Sequence, residues 1–156
     1  MAFSPKAAQN SLYETDYWQW LNQTAVDLQN RDFAAVDWEN LIAEIQDMGK
    51  RERRSAESNL IVILVHLLKW QFQPDFRTGS WGGSIVEHRR RVRKILRDSP
   101  SLRRFLGEIL EDCYQDAVKQ ATVETQLATE TFPSLCPYSL FEVLDDDFWP
   151  DVTVEE

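Results

Sequence analysis

The chain has 156 residues, 43% of them apolar and 12% aromatic, which suffices for one core of ordinary size and excludes general disorder. Its formal charge of −9 excludes indiscriminate binding to nucleic acid. Two cysteines without a CxxC pair exclude a disulfide framework.

Five glycines, six prolines and little strict alternation of apolar and polar residues point to helix. The opening residues lack a basic stretch followed by an apolar one, so no secretory signal is expected. Residues 1–10 and 151–156 are expected to be flexible ends. The first helix is expected near Ser11, where Ser11-Leu12-Tyr13-Glu14 has the form of a capping box. Its apolar face comprises Tyr13, Tyr17, Trp20, Leu21, Thr24 and Leu28, with Trp18 at the edge of that core. Asp37 is a good N-cap for a second helix that buries Trp38, Leu41, Ile42, Ile45 and Met48. Gly49 then either stops that helix or kinks one longer helix. A third helix from about Arg51 to Phe72 is apolar nearly all round in its second half, as a central helix would be. Its apolar run, residues 60–72, is interrupted by His66, Lys69 and Gln71 and falls short of the ~20 residues a bilayer requires. No membrane association is expected, and a reduced cytoplasm is the expected compartment.

Pro74 and the Thr78-Gly79-Ser80 stretch turn the chain into a fourth helix, Trp81 to Arg97, with Ser80 as its cap. Ser99 and Pro100 suit the cap and first position of a fifth helix reaching about Leu127 and burying Leu102, Phe105, Leu106, Ile109 and Cys113. Beyond it, a proline-rich strap containing Phe132, Leu135, Tyr138, Phe148 and Trp149 should pack back on the helices. Ser139 caps a short helix through Leu144. The reading is a single-domain, all-α bundle of about five main helices.

YETDYWQWL at 13–21, DWENLIAEI at 37–45, GKRERR, HLLKWQFQP, SW at 80–81, HRRRVRKIL, DSPSL and the closing FWP occur in this order. Together, over residues 13–150, they resemble a bacterial family, domain of unknown function family 29. The resemblance implies an all-helical fold and a bacterial origin. It brings no activity, substrate, cofactor or catalytic residue with it.

The strongest chemical signal lies in residues 88–104, which hold eight of the seventeen lysines and arginines and a single acid, Asp98. On a helical projection Arg89, Arg90, Arg93, Lys94 and Arg97 form one water-facing arc opposite Trp81, Ile85, His88, Val92, Ile95 and Leu96. Lys50, Arg51, Arg53 and Arg54 make a second cluster. Arginine forks match carboxylate and phosphate oxygens, so the arc is a candidate surface for an anionic partner. The competing reading pairs the arc with the chain's own acids, above all the segment from Glu142 onward, which has seven acids and no base. His66 and His88 are candidate metal ligands if the third and fourth helices form a hairpin, with Glu44 or Glu52 completing the set. HExxH spacing is absent, and two histidines alone do not define a site. Nucleophile elbow, phosphate loop and dinucleotide fingerprint are absent too, and Cys113 lies on a core-facing arc. The expectation is a non-catalytic module without cofactor that presents the basic helix to an unidentified protein partner. Nucleic acid or another polyanion bound through Arg89–Arg104 is the alternative, a metal-dependent enzyme the third reading, and a homodimer is compatible with each.

Overall fold

The computed structural model describes residues 12–151, and among them there is helix, turn and loop but no strand. The helices are α1 (Tyr17–Gln29), α2 (Trp38–Phe72), α3 (Gly79–Asp98), α4 (Leu102–Thr125) and α5 (Leu140–Leu144). Single 3-10 turns occupy Pro74–Phe76 and Thr129–Thr131. The fold class is all-α. No helix among the described residues is long and apolar enough to cross a membrane. Packing divides after Arg51 into two compact units, and α2 contributes to both.

In the first unit, residues 12–15 form a helical turn of their own. Asp16 then caps α1 by accepting a hydrogen bond from the Gln19 amide at 3.0 Å. The cap expected at Ser11 lies outside the described residues, as do residues 1–10. Trp20 and Thr24 are buried as expected, whereas Trp18 stands exposed. The Tyr13 and Tyr17 rings lie 4.9 and 5.8 Å from Trp20, and their hydroxyls donate to the two oxygens of Glu44 at 2.7 and 2.8 Å. Those two donors hold the Glu44 carboxyl below its usual pKa and occupy it.

Asp37 opens α2 by accepting from the Asn40 amide at 3.3 Å. The helix then continues through Gly49 to Phe72, so of the two outcomes open at that glycine the chain takes the single long helix. A terminating glycine adopts a left-handed backbone, and no described glycine has positive φ. A second correction concerns the face expected to be buried. Leu41 is half-buried, but Trp38, Ile42, Ile45 and Met48 are 44%, 51%, 59% and 62% exposed.

The second unit is built around the later half of α2, where Ala56, Leu60, Ile63, Leu64, Val65, Leu67 and Leu68 are buried. Ile85, Val92 and Leu96 of α3 and Leu106, Cys113, Ala117 and Ala121 of α4 complete its core. Thr78, two residues ahead of the expected Ser80, caps α3 by accepting from the Trp81 amide. Ser99 and Pro100 form the turn before α4 instead of starting it: their carbonyls accept from the Leu102 and Arg103 amides. Gln126, at φ 59°, ends α4 in the left-handed region.

The strap follows. Phe132 and Tyr138 are buried, with Phe148 and Trp149 packed against the same core. The Tyr114 hydroxyl donates to the Pro133 carbonyl at 2.6 Å, and the Tyr138 hydroxyl donates to Gln71 Oε1 at 2.5 Å. Leu135, expected to pack with these aromatics, points to solvent instead. Ser139 and Glu142 form a full capping box on α5.

Candidate partner-binding groove

The cations of α3 do not share one environment. The helix buries positions 85, 89, 92 and 96, a stripe at the i, i+3, i+4 spacing of a core face. Arg89, which the helical projection placed on the water-facing arc, is instead fully buried. Its Nε donates to the Val143 carbonyl at 2.8 Å and its Nη2 to the Phe148 carbonyl at 2.9 Å, while the guanidinium lies 5.7 Å from the Trp149 ring. Burial pulls its pKa down, with Asp146 and Asp145 acting in the opposite sense. Arg89 thus anchors α5 and the end of the strap, and is withdrawn from any partner.

The remaining members are exposed. Arg90 and Arg91 donate to Glu87 at 2.9 Å, which holds that carboxyl down to about 2. Arg93 pairs with Asp146, the one ion pair joining the acidic C-terminal segment to α3 among the described residues. Arg97 lies 3.9 Å from Asp98. No ion pair among the described residues joins Lys94 or Arg103 to a carboxylate. Arg90, Arg93, Lys94, Arg97 and Arg103 surround one open groove of about 640 Å³ floored by Leu96. A smaller hollow of about 150 Å³ is lined by Arg93, Arg103, Phe141, Leu144 and Asp145, and Phe141 is 72% exposed. Arg93 and Arg103 belong to both, so cationic groove and apolar step share a wall.

The helical projection could not single out Arg103, because it belongs to the next helix. Its signal was the short Asp98-Ser99-Pro100-Ser101 link, which returns the chain so soon that the first turn of α4 lies beside the last turns of α3. The positive end of the α4 dipole adds to its charge.

A mixed-charge hollow of about 460 Å³ is lined by Glu52, Ser55, Asn59, Arg90, Arg91, Lys94, Ile95 and Asp98. The histidines are tied elsewhere. His88 Nδ1 donates to Asn59 Oδ1 at 2.7 Å, and His66 Nδ1 donates to the Val62 carbonyl at 2.9 Å. With Glu44 also engaged, no group of three or more ligating side chains able to hold a metal occurs among the described residues. Burial pushes the Cys113 thiol up to about 12, which leaves it uncharged and inert.

No curated protein and no solved structure matches the chain. A family model does, that of "Domain of unknown function DUF29", over residues 12–149. Nearly the whole chain lies within that match, and the protein belongs to the DUF29 family.

Proposed function

We propose that this protein is a non-catalytic interaction module of the bacterial cytoplasm whose basic groove docks an acidic segment of another protein. The observation that carries the reading is the convergence of Arg90, Arg93, Lys94, Arg97 and Arg103 on one groove, in which Lys94 and Arg103 form no ion pair with a carboxylate among the described residues. Such heads recruit carboxylates without first breaking an internal pair. Two features favour a peptide over an extended polyanion. The groove has an apolar floor at Leu96 and an exposed Phe141 beside it, which suits an acidic segment carrying an apolar residue. A long nucleic acid would also have to lie against a body of net charge −9.

The test is fluorescence anisotropy with a labelled peptide of Glu, Asp and Phe, alongside single-stranded RNA and duplex DNA, each at two salt concentrations. The peptide should bind, and the double variant Lys94→Glu/Arg103→Glu should weaken it on the order of tenfold or more. Preferential binding of nucleic acid, with a log–log salt slope near −0.9 per phosphate contacted on duplex, would transfer the groove to the polyanion reading. Absence of binding to every probe at low salt removes the groove as a docking surface.

A further inference from the structure

The earlier half of α2 carries a second unpartnered surface, chemically unlike the first. Trp38, Ile42, Ile45 and Met48 are all exposed there. At about 100° per residue, Ile42, Ile45 and Gly49 fall within about 40° of Trp38, so Gly49 lies in line with the stripe. Glycine inside an exposed helix is costly relative to alanine. Nothing among the described residues accounts for it here: an added Cβ would meet no atom of theirs within 4 Å, and the backbone is not left-handed. A bare patch of helix backbone in line with Trp38, Ile42 and Ile45, at the end of their stripe, is a hole able to take a knob.

We infer that this stripe binds a second copy of the chain, the two α2 segments lying antiparallel across a two-fold axis between Ile42 and Ile45. The sequence is self-complementary in that register. Trp38 stands four residues before Ile42 and Gly49 four residues after Ile45, so each Trp38 meets the Gly49 of the other copy. The charges agree. Glu39 and Lys50 lie within about 20° of each other on one flank of the stripe, and antiparallel pairing brings each Glu39 to within about one turn of Lys50 of the second copy. Parallel pairing would place the Glu39–Lys50 flanks of the two copies on opposite sides of the seam and bring neither pair together. Among the described residues Lys50 pairs only with the exposed Asp47, at 3.6 Å, so exchanging partners costs it little. This surface is distinct from the basic groove, and neither reading depends on the other.

Sedimentation equilibrium of the full chain up to about 300 µM tests it, since an interface of ordinary size gives dimers in or below that range. Dimer is expected. Ile45→Glu should yield monomer with unchanged helix content, because the side chain it replaces is exposed. Gly49→Gln should raise the thermal midpoint of the dilute chain yet weaken the dimer at least about tenfold, because it fills the hole. Glu39→Lys alone should weaken association, and Glu39→Lys/Lys50→Glu should restore it. A wild-type chain that stays monomeric overturns the proposal and leaves the stripe to a different protein. Dimers indifferent to Ile45→Glu and Gly49→Gln overturn it as well, and a double swap no better than the single reversal overturns the antiparallel arrangement.

Discussion

The two halves of α2 carry the same helical repeat of large apolar residues and meet opposite fates. Leu60, Ile63, Leu64 and Leu67 repeat at helical spacing and are fully buried, while Trp38, Ile42, Ile45 and Met48 repeat in the same way and remain exposed. What differs is the breadth of the apolar surface. Residues 60–65 are apolar without a break, so that half demands neighbours on several sides and receives them from α3, α4 and the strap. Residues 38–51 carry a narrow stripe between charged flanks, the form of a seam for a single partner helix. A stripe therefore records that cover is needed, not which chain provides it.

Paired truncations sharpen this contrast most. Leu64→Ala, in the covered half, should cost about 2–5 kcal/mol in urea unfolding, from lost burial and the cavity left behind. A loss below about 1 kcal/mol would mean that the second unit is loosely packed.

The covered half also contains polar groups that must be answered. Asn59 is nearly buried, donates to the Ser55 carbonyl at 2.7 Å and accepts from His88. Asn59→Leu removes the acceptor and should cost about 1–3 kcal/mol, despite added apolar surface.

A smaller effect depends on pH. Burial, then Arg91 and His66, lowers the pKa of His88, so the folded chain binds this proton less readily than the unfolded one. Its contribution is complete above an unfolded pKa of about 6.5 and is lost as pH falls through the folded value. The urea midpoint should therefore decline as pH is lowered from 7.5 towards 5, and His88→Gln should flatten that slope. An equal slope in wild type and variant would show that His88 is not the group responsible.

Least is expected of Ile45→Ala. In dilute solution, where the chain is monomeric, it should change stability by no more than about 0.5 kcal/mol. A loss comparable to that of Leu64→Ala would erase the distinction between the halves.

Local signals were legible where the physics is local. Asp37 as the opening of α2, Ser139 as the cap of a short helix and Gln71 and His66 as interruptions of an apolar run can each be read within a few residues of sequence. So could the position of Cys113 on a core-facing arc. The basic strip was legible as composition, but its members were not equivalent. Position 89 lies where the cationic arc meets the stripe of Ile85, Val92 and Leu96, so a projection of the helix by itself does not say which side takes it. Arg103 escaped the projection because two helices had to be placed side by side before it joined Lys94.

Approximate helix positions, the caps at Asp37 and Ser139 and the presence of apolar stripes came from the sequence by itself, because backbone hydrogen bonds and side-chain periodicity act within about one turn. Membership of the DUF29 family could be read from ordered strings of residues in the same way. The fate of each charged or apolar face was decided only by tertiary structure. Arg89 is buried because carbonyls of residues 54 and 59 positions further along, Val143 and Phe148, close on its guanidinium. Lys94 and Arg103 face the groove unpaired, with no carboxylate of the described chain brought against them. Burying a charge demands partners of matching geometry, and a segment's own periodicity says nothing about which distant atoms will arrive to supply them.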